Sequence, residues 1–205
     1  RDTGTTRQLA QDGQLEVAAS DEHVAWLTPF STVTFLKVWE AASGRVSFVD
    51  TARLGDHFVG LRFVGRRLFH YNDAFGNPVK IWDPGTRQIV EIDPVCHTHS
   101  WDATPGFVAW TCSFEALVRL YNLESGAVTE IVSPPIPNSR PERMALADEW
   151  VVWVVERDTP VSAVLLAAPL AGGPVRPLAS GLPRDSRVTE FDAGGGFAAW
   201  WDRGR

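Results

Sequence analysis

Apolar and polar positions along the chain alternate in short bursts, and the bursts recur. A three-residue apolar run ending in Trp appears as Val24-Ala25-Trp26, Val108-Ala109-Trp110, Val151-Val152-Trp153 and Ala198-Ala199-Trp200. Leu68-Phe69-His70 holds the equivalent place in the second unit. The third positions are 44, 40, 43 and 47 residues apart. Out of phase with these runs, Gly-containing turns fall at Gly4, Gly44, Gly85, Gly126 and Gly173. Each turn leads into a run rich in Val, Ile or aromatic residues, and each of the last four follows another such run. Short runs of this kind split by tight Gly turns predict hairpins. No stretch sustains a 3.6-residue apolar period, so helix is expected to be close to absent.

Each unit then holds four strands, a to d. In the first complete unit they are Leu15 to Ala19, Val24 to Thr28, Phe35 to Trp39 and Arg45 to Val49. Four-stranded repeats of about 40–45 residues predict an all-β chain of the β-propeller class. One such sheet has two faces and cannot shield both alone, whereas radial stacking buries each against a neighbour. The expected blades are 14–50, 56–93, 99–133 and 142–179 in a single domain over residues 1–205. A fifth, incomplete blade takes strands a (near Arg187 to Phe191) and b from 186–205 and strand d from 1–10. On this reading about five blades of four antiparallel strands close as a ring, with the last shared between the termini. The competing reading is a piece of a longer propeller. In either case the last b strand offers an edge for strand addition.

The pieces Glu40-Ala41-Ala42-Ser43-Gly44 and Leu123-Glu124-Ser125-Gly126, following the strand-b aromatic, match a c–d turn of the D-x-x-[ST]-G kind. Arg1 to Ala10 has the look of such a turn and its strand d. With these features the chain resembles the TolB-type and related bacterial six- to eight-bladed propellers. The resemblance implies a β-propeller and, from the habits of such proteins, an interaction or scaffold module. The Ser-Pro-Asp-Gly usual before strand b is missing from every repeat. The WD40 pattern fits worse: Trp82-Asp83 ends a strand c, but Trp101-Asp102 and Trp201-Asp202 do not.

Composition narrows the function classes. The net charge is −6 and basic residues are scattered, which disfavours nucleic acid, since neutralising phosphates needs clustered Lys and Arg. No apolar run approaches the ~20 residues that span a bilayer. There is neither a starting Met nor a signal-peptide pattern, so a processed or trimmed chain is expected. The chain has nine Trp and eleven Phe. Recurrence at one strand position assigns Trp26, Trp110, Trp153 and Trp200 to packing between blades, in preference to sugar platforms.

In a propeller the d–a and b–c connections share one face, where ligands usually bind. Sorting by that rule brings His57, His70, Asp73, His97, His99 and Asp102 to the same face over two adjacent blades. The bland reading is a set of polar rim residues. The chemical reading is an acid/base patch, or a divalent metal ion on His97 and His99, because imidazole and carboxylate suit zinc-like ions. Cys96-His97-Thr98-His99 has no recognised ligand spacing. Cys96 and Cys112, the only cysteines, are either bridged, which would suit an extracytoplasmic protein, periplasmic or secreted, or two buried thiols. The expectation is the bridge. Neither a Gly-x-Ser-x-Gly elbow nor a phosphate-binding Gly-rich loop is present. The Pro-rich segment 134–138 forms the longest irregular connection.

These readings converge on a non-catalytic interaction or scaffold propeller, without cofactor, that binds a protein or another ligand on its d–a/b–c face. Association with a partner or another copy through the open edge is also expected. The alternative is a hydrolase or lyase that uses the His/carboxylate patch.

Overall fold

The structure is a computed structural model that describes residues 16–53, 58–72, 78–92, 98–112, 117–132, 139–158, 161–182, 191–194 and 197–200. Every regular element among them is a β-strand. The chain divides into two compact units, 1–94 and 95–205.

The first unit holds two antiparallel four-stranded sheets, each in simple sequence order. Sheet one is β1 (Val17–Ala19), β2 (His23–Phe30), β3 (Val33–Glu40) and β4 (Val46–Arg53). Sheet two is β5 (Phe58–Val64), β6 (Arg67–Asn72), β7 (Val79–Asp83) and β8 (Gln88–Ile92). Side chains of a strand alternate between its two faces. Ala25 and Leu27 of β2 and Leu36 and Val38 of β3 therefore share one face of sheet one. There they pack with Leu61, Leu68 and Trp82 of sheet two.

The second unit repeats the arrangement. Sheet three is β9 (Thr98–Ala103), β10 (Phe107–Cys112), β11 (Leu117–Asn122) and β12 (Val128–Val132). Sheet four is β13 (Ser139–Leu146), β14 (Trp150–Asp158), β15 (Val161–Pro169) and β16 (Arg176–Leu182). Ala109, Val118, Leu120 and Ile131 of sheet three pack on Val151, Trp153, Val155, Val164 and Leu166 of sheet four. The other face of sheet four is apolar too, with Val152, Val154, Ala163, Leu165 and Ala167. Consecutive apolar residues, as in Val151 to Val155, suit a strand covered on both faces. A hairpin, β17 (Phe191–Gly194) with β18 (Phe197–Trp200), completes the described strands. It starts where the expected strand a ended.

The c–d turns of sheets one and three follow one design, sheet two varies it, and sheet four departs from it, with Gly172 donating its N–H to the Pro169 carbonyl at 3.1 Å. Gly44 and Gly126 adopt φ of 66° and 71°, and each donates its N–H to the last residue of strand c, Glu40 or Asn122, at 2.9 Å. A polar side chain at that last position organises the turn. The Asn122 carboxamide oxygen accepts the N–H of Glu124 and Ser125, and the Ser43 hydroxyl bonds the Glu40 carboxylate. In sheet two Asp83 plays this part toward Gly85 and Thr86. The left-handed residue there is Arg87 at φ 59°, whose N–H bonds the Asp83 carbonyl at 2.7 Å. The repeat glycine of this turn is thus replaced by Arg87, two residues beyond Gly85.

Candidate functional site

The repeat carries a register that strand patterns alone conceal. The third residue of each strand-b triplet sits opposite a fixed position of strand c, which in turn sits opposite a fixed position of strand d. The four rows are Trp26/Lys37/Phe48, His70/Lys80/Glu91, Trp110/Arg119/Glu130 and Trp153/Leu166/Pro177. Directly opposed residues share a face. Trp26, Trp110 and Trp153 are 2%, 1% and 0% exposed. In the first unit the row of sheet two lies on the face turned to sheet one. In the second unit the row of sheet four is turned to sheet three.

The row of sheet two sets a buried histidine beside charged side chains. His70 replaces the repeated Trp and is 0% exposed. Asp50 reaches it from β4 of sheet one, with Oδ2 3.9 Å from His70 Nδ1. The same oxygen accepts from Lys80 Nζ at 3.0 Å, and Lys80 lies 3.4 Å from Glu91 Oε1. Burial pushes the His70 pKa down to about 4, with Asp50 opposing and Lys80 adding to the shift. The imidazole is therefore neutral near pH 7. In sheet three Arg119 bridges Glu130 at 3.1 Å and donates to Cys112 Sγ at 2.9 Å.

The sequence-derived candidates fall in different places. His70 lies in β6 between two sheets. Asp102 lies in β9, opposite Ala109. Its Oδ2 accepts the N–H of Leu146 in sheet four at 2.7 Å and its Oδ1 that of Ala103 at 2.8 Å. Glu16 makes the corresponding clamp in the first unit, accepting the Leu61 N–H at 2.8 Å. His99 is a β9 backbone position and Trp200 a β18 position; their side chains lie outside the described set. So do His57, Asp73, Cys96, His97 and the 134–138 segment. Cys112 is disulfide-bonded. Among the described residues no three His, Cys, Asp or Glu side chains gather as a metal site.

Sequence reasoning missed a groove at the a–b end of the first unit. A cavity of about 540 Å³ lies between the β1–β2 and β5–β6 turns, lined by Ser20, Asp21, Glu22, Phe63 and Arg66. Beside it, buried His23 stacks on Phe63 at 6.0 Å and meets the edge of Trp82 at 6.2 Å. The packing role of His23 follows from this cross-sheet contact.

Solved structures share this architecture. TolB from Acinetobacter baumannii matches with a TM-score of 0.54 and 14% identity, over 82% of this chain and 44% of that one. A Mycobacterium tuberculosis puromycin-hydrolyzing peptidase matches at 0.58 and 15%, over 88% and 31%. Kuenenia stuttgartiensis hydrazine synthase matches at 0.54 and 12%, over 88% and 52%. The fold is propeller-like. At these identities the likeness extends to the fold alone, and the chain spans from about a third to half of the length of these structures. No family model and no curated protein matches. Among the described residues no helix is long and apolar enough to cross a membrane.

Proposed function

We propose that the chain is a non-catalytic interaction or scaffold module that binds a protein or other ligand on its d–a/b–c face. The observation that supports this best is the state of His70. It is the one histidine of the predicted patch whose side chain is described, and its ring is sealed between two sheets beside Asp50 and Lys80. A neutral imidazole without solvent access contributes packing and has no path to a substrate. Asp102 is likewise engaged, by two backbone N–H groups.

The same reading takes residues 1–10 and 186–205 as one further sheet that closes a ring of about five blades, or that adds a partner's strand at its b edge. It pairs Cys96 with Cys112 and places the protein outside the cytoplasm, in the periplasm or secreted, where such bonds persist. Metal analysis tests the functional part. The purified protein should carry no stoichiometric transition metal, and the His97→Ala/His99→Ala double variant should match it. A stoichiometric metal lost in that variant would move the chain to the hydrolase or lyase class.

A further inference from the structure

Sheet three turns its row cation toward sulfur. In sheet two Lys80 meets the carboxylates of Asp50 and Glu91 at 3.0 and 3.4 Å. Its counterpart Arg119 meets Glu130 through Nε at 3.1 Å and donates from Nη1 to Cys112 Sγ at 2.9 Å. Cys112 lies two residues past Trp110 at the end of β10, and Arg119 sits opposite Trp110. Cys112 is disulfide-bonded and 4% exposed, and the Arg119 side chain is 15% exposed. A disulfide sulfur carries no charge and accepts only weakly. The same N–H facing a thiolate makes a charge-assisted bond, roughly twice as strong. Burial alone disfavours a thiolate, and an adjacent guanidinium opposes that penalty. Arg119 therefore stabilises reduced Cys112 more than oxidised Cys112.

We infer that this disulfide is a thiol–disulfide exchange site for a low-molecular-weight thiol, with Cys112 as the leaving sulfur and Arg119 as the cation that receives it. This role presupposes the pairing of Cys96 with Cys112 proposed above; the chain has two cysteines, and none is free among the described residues. A thiolate attacks Cys96 Sγ, the S–S bond breaks, and its electron pair goes to Cys112 Sγ, now a thiolate against Arg119. The incoming sulfur is then joined to Cys96. A second thiolate displaces it, the two small thiols leave as their own disulfide, and the Cys96 thiolate takes a proton from water. Two electrons pass from the small thiols to the protein. The direction of attack follows from burial, which shields Cys112 at 4% exposure, and from leaving-group stability, since the better-stabilised thiolate departs faster.

The probe is glutathione. The full chain is equilibrated in buffers of graded reduced-to-oxidised glutathione ratio, quenched with N-ethylmaleimide and mapped by peptide mass spectrometry. At intermediate ratios glutathione is expected on Cys96 and maleimide on Cys112. Arg119→Met should shift the equilibrium toward the disulfide by about ten-fold, which is about 30 mV for this two-electron couple. Arg119→Lys, which keeps a positive charge, should recover part of the shift. Glu130→Gln removes a carboxylate that competes for the guanidinium, and should shift the equilibrium toward the dithiol. Glu130 is 53% exposed, so this variant does not test folding, and thermal melting of the oxidised Arg119 variants controls for it. Maleimide on both cysteines without reduction overturns the pairing and the exchange role together. A confirmed disulfide whose equilibrium ignores both Arg119→Met and Glu130→Gln, or glutathione found on Cys112, overturns the exchange role alone.

Discussion

Lowering the pH should loosen this protein through one residue, His70. The unfolded chain takes up a proton on this imidazole near its ordinary pKa of 6.5, whereas the folded chain resists until about pH 4. Between those values the unfolded state holds more protons, so stability falls as pH falls. The contribution is fully present above pH 6.5 and is lost progressively down to pH 4. The difference of about 2.5 units, at 1.36 kcal/mol each, amounts to about 3 kcal/mol. No discount for solvent screening applies, because the ring is 0% exposed. A loss of this size is a large fraction of the 5–15 kcal/mol typical of a folded domain. The measurement is urea unfolding followed by Trp fluorescence at half-unit steps from pH 7 to 4.5, with His70→Phe as the reference. The variant keeps a ring of similar size and removes the titration. The wild-type curve should fall more steeply by up to about 1.4 kcal/mol per unit between pH 6.5 and 4.5. Parallel curves, or a His70 Cε1–H resonance that titrates near pH 6.5, would refute the reasoning.

Three further perturbations probe other parts of the fold. Arg87→Gly removes a non-glycine residue from φ 59° and should stabilise the chain by about 0.5–1 kcal/mol, the strain relieved less the added freedom of the unfolded glycine; no gain in thermal melting would count against the strain. Asp102→Ala strips the acceptor from the Leu146 N–H and should cost about 1–3 kcal/mol in chemical denaturation, with faster hydrogen exchange at Leu146. If Cys96 is the partner of Cys112, mass spectrometry should find two alkylated cysteines after reduction and none before it. Cys96→Ser/Cys112→Ser should then cost about 3 kcal/mol, the value for a loop of about 15 residues.

The repeating Trp triplets and Gly turns made the four-stranded sheets readable from the chain, because hairpins impose their spacing locally. What they could not reveal was register. Lys37, Lys80 and Arg119 look like unrelated surface cations until hairpin pairing aligns them opposite Trp26, His70 and Trp110. His70 was sorted to a loop face because it lies near the end of its strand. Its side chain follows Leu68 into the sheet-to-sheet interface, a direction that chain position alone does not encode. Asp102 and Glu16 were equally opaque, since each finds its N–H about 45 residues away. Gly85 attracted attention as the turn glycine, but the Asp83 side chain organises that turn so that Arg87 takes the left-handed conformation.

In both units the row-bearing side of the second sheet meets the opposite side of the first, so the contact joins unlike surfaces. A contact between unlike surfaces is head-to-tail: it does not satisfy itself in a pair but passes on from sheet to sheet. A blade lineage of this kind can change its number of members by duplication without redesigning a joint, because every newcomer brings both halves of the fastening with it.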